Sequence, residues 1–436
     1  MKRCAVMLFC LAFSIPALCA AGVWLVLPDG SGDFPTIQAA IDASSDGDVV
    51  MLADGTFQGE GNRDLDLLGK GIAVRSQSGV ADVCVIDCYG TEGHWGFRFV
   101  SGESPSCSIE RLTIRGGGAW GDLTDGAGAL CRGSSPTFLG CTFASNSADS
   151  AGGAIACFEG SAPRIVDCRF QTNSAIYYGG GAIVSREGSS PQIENCSFLH
   201  SWALWSGGAV LFDGPSEGSV IDCTFIGNAT KMAGEGGAIL CRNGADVRIE
   251  RCVFESNSAG GPGSAISALQ SNPEIRECTF YRNEPAPMRC LASAAHLWRC
   301  TFYQNFDMEC SGLHCEQGAA PVVENTIFAA GRVGPAVFCA DGASDPLFRC
   351  CDIFGNEGGD WVGCAEDQLG VNGNISLDPL FCDPENFDLT LDAQSPCAPF
   401  TPPNEECDQI GAWPVGCGST ATESVSWGRV RALFHP

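Results

Sequence analysis

Short runs of alternating apolar and polar residues recur along most of this chain, separated by turns rich in Gly, Asn, Ser and Pro. A representative run is 168–173, Cys-Arg-Phe-Gln-Thr-Asn. Side chains two positions apart lie on the same face of a β-strand. The pattern therefore predicts a strand whose Cys168 and Phe170 face a core, while Asp167 and Arg169 point the other way.

This run is one copy of a repeat. Cys-x-Phe-x-x-Asn begins at Cys141, Cys168, Cys223, Cys252, Cys278 and Cys300, and at Cys196 Ser201 replaces the Asn. Gly-Gly-Ala followed by Ile or Val recurs between copies, beginning at Gly152, Gly180, Gly207 and Gly236. A sustained period of this length is typical of a solenoid, and strands one period apart would pair in parallel. We therefore predict an all-β, single-stranded parallel β-helix of about ten coils.

The ends of the chain lack the repeat. In the segment 36–43, Ile37, Ala40 and Ile41 fall on one helical face, which predicts a helical cap over the first coil. Residues 345–417 are rich in Cys, Pro and Asp and are predicted to hold the last coils and a Cys-rich cap. We divide the chain into a signal peptide, an N-terminal cap, the β-helix repeats, the last coils with the C-terminal cap, and a tail: residues 1–21, 22–64, 65–344, 345–417 and 418–436.

The first residues predict export. Lys2 and Arg3 precede an apolar run and small residues before position 21, as in a secretory signal. Its removal changes the formal charge from −27 to −29, and so acidic a chain repels nucleic acid. No other run is apolar enough to predict a transmembrane segment in the mature chain. We expect an extracellular or outer-surface protein of a bacterium.

The cysteines form two columns in the predicted coils. The first contains Cys141, Cys168, Cys196, Cys223, Cys252, Cys278 and Cys300, and the second contains Cys131, Cys157, Cys241, Cys290, Cys315 and Cys339. Without any Cys-x-x-Cys pair, buried core thiols are favoured over a metal array, although disulfides between neighbouring coils are an alternative. Better disulfide candidates lie near the C-terminus: Cys350, Cys351, Cys364, Cys382, Cys397, Cys407 and Cys417.

Aromatic residues suggest a binding surface. Tyr178 and Trp205 each stand four residues before the Ala of a Gly-Gly-Ala turn, and Tyr177 and Trp202 lie close by. Exposed aromatic side chains in one column would contact sugar rings or a protein partner. The alternative is that these turns fold back and bury their rings.

A second candidate surface is charged. Asp167, Arg169, Asp222 and Arg251 belong to a predicted exposed charged face. A lyase would use acidic side chains for Ca²⁺ and an Arg for proton abstraction. However, Arg251, Glu277 and Arg299 alternate in sign on adjacent coils, as in a solvated charge ladder. We expect no resident metal or other cofactor, with Ca²⁺ in the Asp-rich turns 360–367 and 378–388 as the alternative.

Several motifs resemble known families. The Phe-x-x-Asn and Gly-Gly-Ala-Ile phrases over 126–305 resemble the repeats of chlamydial polymorphic outer-membrane proteins. Residues 34–50 and 69–76 resemble the N-terminal cap of secreted, pectin-lyase-like right-handed β-helix proteins, and the stretch 378–412 is similar to their C-terminal coils. The resemblance implies a right-handed β-helix. The catalytic motifs of pectinesterases and polygalacturonases are missing, so no catalytic residue is assigned.

These observations lead to a functional hypothesis. We predict a non-catalytic extracellular or cell-surface protein that acts in adhesion by binding a polysaccharide or a surface protein. A polysaccharide lyase or glycoside hydrolase of the pectin-lyase-like type is the alternative, and a purely structural envelope component is a third. The fold alone does not decide among them, because β-helices serve many functions.

Overall fold

The computed structural model describes residues 21–89, 93–119 and 125–418 of the chain. Residues 1–20 of the predicted signal peptide and residues 419–436 of the predicted tail lie outside these ranges. The described chain winds into a parallel solenoid whose successive coils add strands to the same three long sheets, which confirms the predicted fold class. The longest sheet has 13 strands, so the solenoid has more coils than the repeats predict.

Each complete coil contributes one strand to each long sheet, and the end coils contribute to fewer. We name the sheets A, B and C in the order in which the complete coils meet them. Sheet A contains Val23–Val26, Val49–Leu52, Ala73–Ser76, Ser108–Glu110, Thr137–Leu139, Arg164–Val166, Gln192–Glu194, Ser219–Ile221, Arg248–Glu250, Glu274–Arg276, His296–Trp298, Val322–Glu324 and Leu347–Arg349. Sheet B contains Gly55–Gln58, Cys84–Asp87, Thr113–Arg115, Thr142–Ala144, Arg169–Gln171, Ser197–Leu199, Thr224–Ile226, Val253–Glu255, Thr279–Tyr281, Thr301–Tyr303, Ile327–Ala329 and Asp352–Phe354. Sheet C contains Leu65–Asp66, Phe97–Phe99, Ala129–Arg132, Ile155–Phe158, Ile183–Arg186, Val210–Asp213, Ile239–Arg242, Ile266–Leu269, Met288–Leu291, Leu313–Glu316 and Val337–Cys339.

Smaller elements complete the coils. A short parallel sheet D lies between sheets B and C and contains Gly118–Ala119, Ser147–Ala148, Ser174–Ala175, Trp202–Ala203 and Ala229–Thr230. A two-stranded sheet pairs Phe306–Asp307 with Arg332–Val333, and a three-stranded sheet near the C-terminus contains Phe381–Asp383, Asp388–Asp392 and Val415–Cys417. Short 3₁₀ turns span Ala81–Val83, Gly363–Gln368 and Pro384–Asn386.

The core of the solenoid is built from stacked identical side chains, as the repeat predicts. The Phe rings of neighbouring coils lie nearly parallel, with centroids between 4.3 and 5.2 Å apart: Phe143, Phe170, Phe198, Phe225, Phe254, Phe280, Phe302 and Phe328. All are buried. Burial of such rings removes a large apolar area from water in every coil, which stabilises the stacking of coil upon coil.

The cysteines of both columns are also buried, apart from Cys339, which is half-buried and forms a disulfide. Cys131 pairs in register with Cys157, and Cys290 with Cys315, on adjacent strands of sheet C. These four thiols are not oxidised, and neither are the thiols of the first column. Burial raises the pKa of Cys290 and of Cys300 to about 12. A thiol buried in the core is shielded from reactants in solution, so these columns are core packing.

The Asn of the repeat forms a buried ladder along the solenoid. The Asn283 side-chain oxygen accepts from the backbone N–H of Asn257 at 3.0 Å and from its amide at 3.0 Å. The Asn257 amide nitrogen in turn donates to the carbonyl oxygen of Phe225 at 3.0 Å. Each Asn thus ties together three coils, which satisfies the backbone groups that the bend leaves unpaired.

The left-handed backbone at this bend is not on the Asn itself. It falls on the residue before, for example Thr172 (φ 53°), Ser256 (φ 54°) and Gln304 (φ 50°). The Asn side chain points into the core, where it bonds to the neighbouring coils. The backbone therefore turns at the residue before it.

A single short helix, α1 (Ile37–Ala43), covers the first coil. The Thr36 side chain accepts from the backbone N–H of Ala39 at 3.2 Å, which caps the helix. Ile37, Ala40 and Ile41 are fully buried in the main core, on the face that the sequence predicts. The helix therefore closes the apolar end of the solenoid.

The C-terminal segment does more than cap the last coil. After Trp361 and Ala365 enter the main core, the chain folds back along the outer face of sheet B. There Leu389 and Leu391 join a second apolar cluster with Tyr281, Tyr303 and Ile327 of the coils. The backbone N–H of Ala412 donates to the Thr301 hydroxyl at 2.9 Å, and the Trp413 indole N–H donates to the Thr279 hydroxyl at 2.9 Å. We call residues 378–417 the folded-back segment.

Three disulfides hold this region: Cys339–Cys364, Cys350–Cys407 and Cys382–Cys417. Two of the predicted disulfide candidates, Cys351 and Cys397, are instead buried free thiols. Cys351 continues the first cysteine column, and Cys397 donates to the Asp352 carboxylate at 3.2 Å. Cys339, which we expected to stay a core thiol, bonds to Cys364 because it stands at the last strand of sheet C, against the closing turn.

Candidate functional site

Three of the four predicted aromatic residues lie where the chain passes from sheet D to sheet C. Tyr177, Tyr178 and Trp205 are 58%, 41% and 45% exposed, and we call these three side chains the aromatic strip. In the part of the chain that the structure describes, their rings do not stack on one another. The turns therefore do not bury these rings, which removes the alternative weighed from the sequence.

Backbone pairing places the strip on adjacent coils. Ser174 pairs with Trp202 and Ala175 with Ala203, so the coils are in register on the sheet D side. On the other side of the turn the N–H of Gly180 donates to the carbonyl of Ser206 at 2.8 Å. The turn after Ala175 is thus one residue longer than that after Ala203, so Tyr177 and Tyr178 both neighbour Trp205. Trp202 itself lies within sheet D and is half-buried, apart from the exposed strip.

Charged side chains border the strip on the sheet C side. The Arg186 guanidinium carbon stands 5.1 Å from the centre of the Tyr178 ring, and its Nε lies 3.6 Å from Asp213. Arg242 donates to Asp213 at 2.8 Å and Asn243 donates to it at 2.7 Å. Burial opposes ionisation, but these hydrogen bonds hold the pKa of Asp213 below its usual value. The result is a fixed polar border beside exposed rings.

The predicted charged residues lie at the bend between sheets A and B, which we call the charged corner. It contains Asp167, Asn195, Asp222, Arg251, Glu277 and Arg299, all with φ between 50° and 55°. Because one residue of every coil turns the chain here in the left-handed conformation, six consecutive side chains form one outward column.

Within this corner the structure joins neighbours in pairs. The Asn195 amide donates to Asp167 at 2.6 Å. Arg251 donates to Asp222 through two nitrogens at 2.7 and 2.9 Å and through its third to Glu250. The hydrogen bonds with Asp222 raise the pKa of Arg251. Such a cation is held as a fixed charge and is not a proton acceptor.

Arg169 does not belong to this column. It lies on the outer face of sheet B, in register with Thr142 and Ser197. Its Nε is buried and makes no hydrogen bond among the described residues. The structure therefore brings Asp222 and Arg251 together, and leaves Arg169 apart from them.

Sequence reasoning missed the partner of the charged corner, which comes from the folded-back segment. A cavity of about 510 Å³ opens between the two. We call it the Trp413 cleft, and it is lined by Asn195, Asp222, Arg251, Glu277, Trp413 and Pro414, with Thr224 and Val253 of sheet B on its floor. The residue types alone give no sign of it, because nothing in the repeat pattern predicts where residues 412–414 return.

Two further observations bear on possible chemistry. Among the residues that the structure describes, no group of three or more His, Cys, Asp or Glu side chains is arranged to hold a metal ion. The histidines are scattered: His94 contacts Asp64 at 2.7 Å, His296 contacts Glu324 at 3.0 Å, and burial lowers the pKa of His314. In the same described ranges, no helix has the length and apolar character needed to cross a membrane.

The fold defines a class of protein, a parallel β-solenoid with a bordered aromatic strip, and the sequence comparison gives its family. The model of the right-handed β-helix region matches residues 49–229, 128–305 and 208–376, and the chain belongs to this family. One similar solved structure is described as a mannuronic acid specific polysaccharide family 6 lyase enzyme from human gut microbiota. It shares 14% identity over 81% of this chain and 85% of that chain, with a TM-score of 0.44. At this level the likeness carries no inference about activity. A search of curated proteins found no match.

Proposed function

We propose that this protein is a non-catalytic, exported β-helix that binds a glycan through the aromatic strip. The observation that carries the proposal is the exposure of Tyr177, Tyr178 and Trp205 on adjacent coils. Exposed aromatic rings are costly unless a partner covers them. Rings that do not stack on each other leave ring faces for the apolar faces of sugar rings, apart from the face of Tyr178 that Arg186 covers.

The border of the strip supports a glycan over an apolar partner. Asp213 and Arg242 lie next to the rings, and Arg242 also donates to the Ser206 hydroxyl at 3.3 Å. A sugar presents hydroxyl groups around an apolar ring face, so it needs both an aromatic surface and hydrogen-bonding groups at its edge. A purely apolar protein partner would remove water from this charged border without offering it hydrogen bonds.

The non-catalytic part of the proposal rests on the state of the charged groups. A lyase needs a side chain that takes a proton next to a uronate, and the pKa of such a base lies near the working pH. Arg251 has the opposite shift, and all three of its nitrogens are bonded to carboxylates. Arg242 and Arg289 are likewise paired with carboxylates.

The test is retention of the purified mature protein on a panel of immobilised polysaccharides, with the soluble fraction assayed for new chain ends. We expect retention without cleavage. Replacing Trp205 by Ala should weaken binding by about tenfold, the loss of ~1.4 kcal/mol that removal of one aromatic contact produces. Tyr178→Ala should act in the same direction.

Phe400→Ala provides a matched control, since Phe400 is 61% exposed but lies in the folded-back segment. It should bind like the parent protein. New chain ends would overturn the non-catalytic proposal and favour a lyase or hydrolase. Equal retention of the Trp205→Ala and parent proteins would remove the strip as the binding surface.

A further inference from the structure

The Trp413 cleft has the features of a binding site distinct from the aromatic strip. One wall is the charged corner, at Asn195, Asp222, Arg251 and Glu277, and the other is the folded-back segment at Trp413 and Pro414. The strip lies at the other end of the same coils, beyond the strands of sheet B. The cleft is therefore separate from the aromatic strip.

The aromatic wall of the cleft is held in place by hydrogen bonds to sheet B. The Trp413 indole N–H is bonded to the Thr279 hydroxyl, and the preceding residue, Ala412, is bonded to Thr301, both at 2.9 Å. These bonds anchor residues 412–413 to two coils. The disulfide Cys382–Cys417 closes the folded-back segment just after this wall. An aromatic side chain that is already fixed loses little conformational entropy when a ligand contacts it.

The opposite wall presents hydrogen-bond acceptors with an excess of negative charge. Arg251 is the cation of this wall, and it is shared by Asp222 and Glu250. The Glu277 carboxylate acts on Arg251 through charge alone. Glu250 lies outside the cleft lining and is also paired with Arg248. On the wall itself two carboxylates, Asp222 and Glu277, face one guanidinium, so this wall repels a carboxylated or sulfated ligand and accepts hydrogen bonds from hydroxyl groups.

We infer that the Trp413 cleft binds an uncharged pyranose unit of a glycan, with the ring against Trp413 and its hydroxyl groups donating to Glu277 and Asp222. The volume of about 510 Å³ lies in the range of small-ligand sites. This inference rests on the proposed glycan binding and adds to it a site and a charge preference. The cleft excludes uronates because its fixed cation is already neutralised.

The test measures binding of cellohexaose, xylohexaose, mannohexaose and hexagalacturonate to the full mature chain by titration calorimetry. We expect one or more neutral oligosaccharides to bind and hexagalacturonate not to bind at this cleft. Glu277→Gln should weaken neutral binding by about tenfold, because an amide is a weaker acceptor than a carboxylate. Glu277→Lys should weaken it too and should admit hexagalacturonate.

The matched control is Glu274→Gln, which removes an exposed carboxylate three residues earlier on the same coil, outside the cleft. It should leave binding unchanged. Trp413→Ala is a second probe of the aromatic wall. Because it removes a packed side chain, its folding is checked by the intact disulfide Cys382–Cys417 in non-reducing peptide mapping. Glu277→Gln tests the cleft without that concern.

The outcomes separate this inference from the proposed function. Loss of neutral binding in Glu277→Gln with normal binding in Trp205→Ala supports the cleft and removes the strip. The reverse pattern overturns the cleft and leaves the proposed function standing. Absence of binding to all four oligosaccharides, or binding of hexagalacturonate that Glu277→Gln abolishes, overturns the inference.

Discussion

Replacing Asp352 by Asn should stabilise the protein at alkaline pH. Asp352 is fully buried at the start of the last strand of sheet B. One carboxylate oxygen accepts from the backbone N–H of Leu377 at 3.1 Å and the other from the Cys397 thiol at 3.2 Å. Burial, which outweighs these hydrogen bonds, raises the pKa of Asp352 to about 7.

The sign and size of the effect follow from the two ionisation states. Below about pH 4 the carboxyl is protonated in both the folded and the unfolded chain. As the pH rises toward 7, the unfolded chain releases the proton while the folded chain keeps it, so the free energy of unfolding falls. A pKa of about 7 against ~3.9 in the unfolded chain gives a loss of about 4 kcal/mol above pH 7.

The assay is guanidinium denaturation of the parent and Asp352→Asn proteins from about pH 4 to about pH 8. The two should have similar unfolding free energies at the acid end, and the variant should be more stable by up to ~4 kcal/mol at the alkaline end. Asp367→Asn, at an exposed position of the same region, is the control and should track the parent. Parallel pH profiles for Asp352→Asn and parent would refute the reasoning.

Three further predictions concern the core and the disulfides. Ser201→Asn should stabilise the protein by about 1 kcal/mol in chemical denaturation, because it restores the missing member of the Asn ladder where the Ser201 hydroxyl is buried without a hydrogen bond; a lower midpoint would contradict this. Phe225→Ala should destabilise by about 3–5 kcal/mol in the same measurement, since the ring stacks between Phe198 at 4.6 Å and Phe254 at 5.0 Å; the exposed Phe400→Ala is its control. Replacing Cys350 and Cys407 by Ser should cost about 2–4 kcal/mol, and limited proteolysis should then cut within 378–417 before it cuts the coils; unchanged cleavage rates would show that this disulfide does not hold the folded-back segment.

The repeated part of the fold could be predicted because each coil repeats the same chemistry. Cys and Phe alternate with polar residues, so the inward face is evident from a single copy and is confirmed at Phe170 and Cys168. The position of the left-handed residue was not evident. The sequence shows an Asn at the bend, but only the contact of its side chain with the preceding coil explains why the residue before it turns the chain.

The candidate sites could likewise be predicted only where they belong to the repeat. Tyr178 and Trp205 could be placed on neighbouring coils because the Gly-Gly-Ala turns supply a register. The Trp413 cleft could not be found, since it joins residues that are far apart in sequence and belong to no repeat. The disulfide partner of Cys364 was missed for a similar reason. In the sequence Cys339 is one more member of a cysteine column. Only the structure shows that the following turn covers the end of sheet C and brings Cys364 to it.

The folded-back segment changes how this solenoid comes apart. In a simple stack, each coil contacts only its neighbours, so the end coils can fray one after another. Here the segment bonds to Thr279, Thr301 and Asn325 on three successive coils and is tied to Cys350 beyond them. None of these coils can peel away alone. The C-terminal third therefore unfolds as one cooperative unit. In the rest of the solenoid, coils are lost one after another from the N-terminal end.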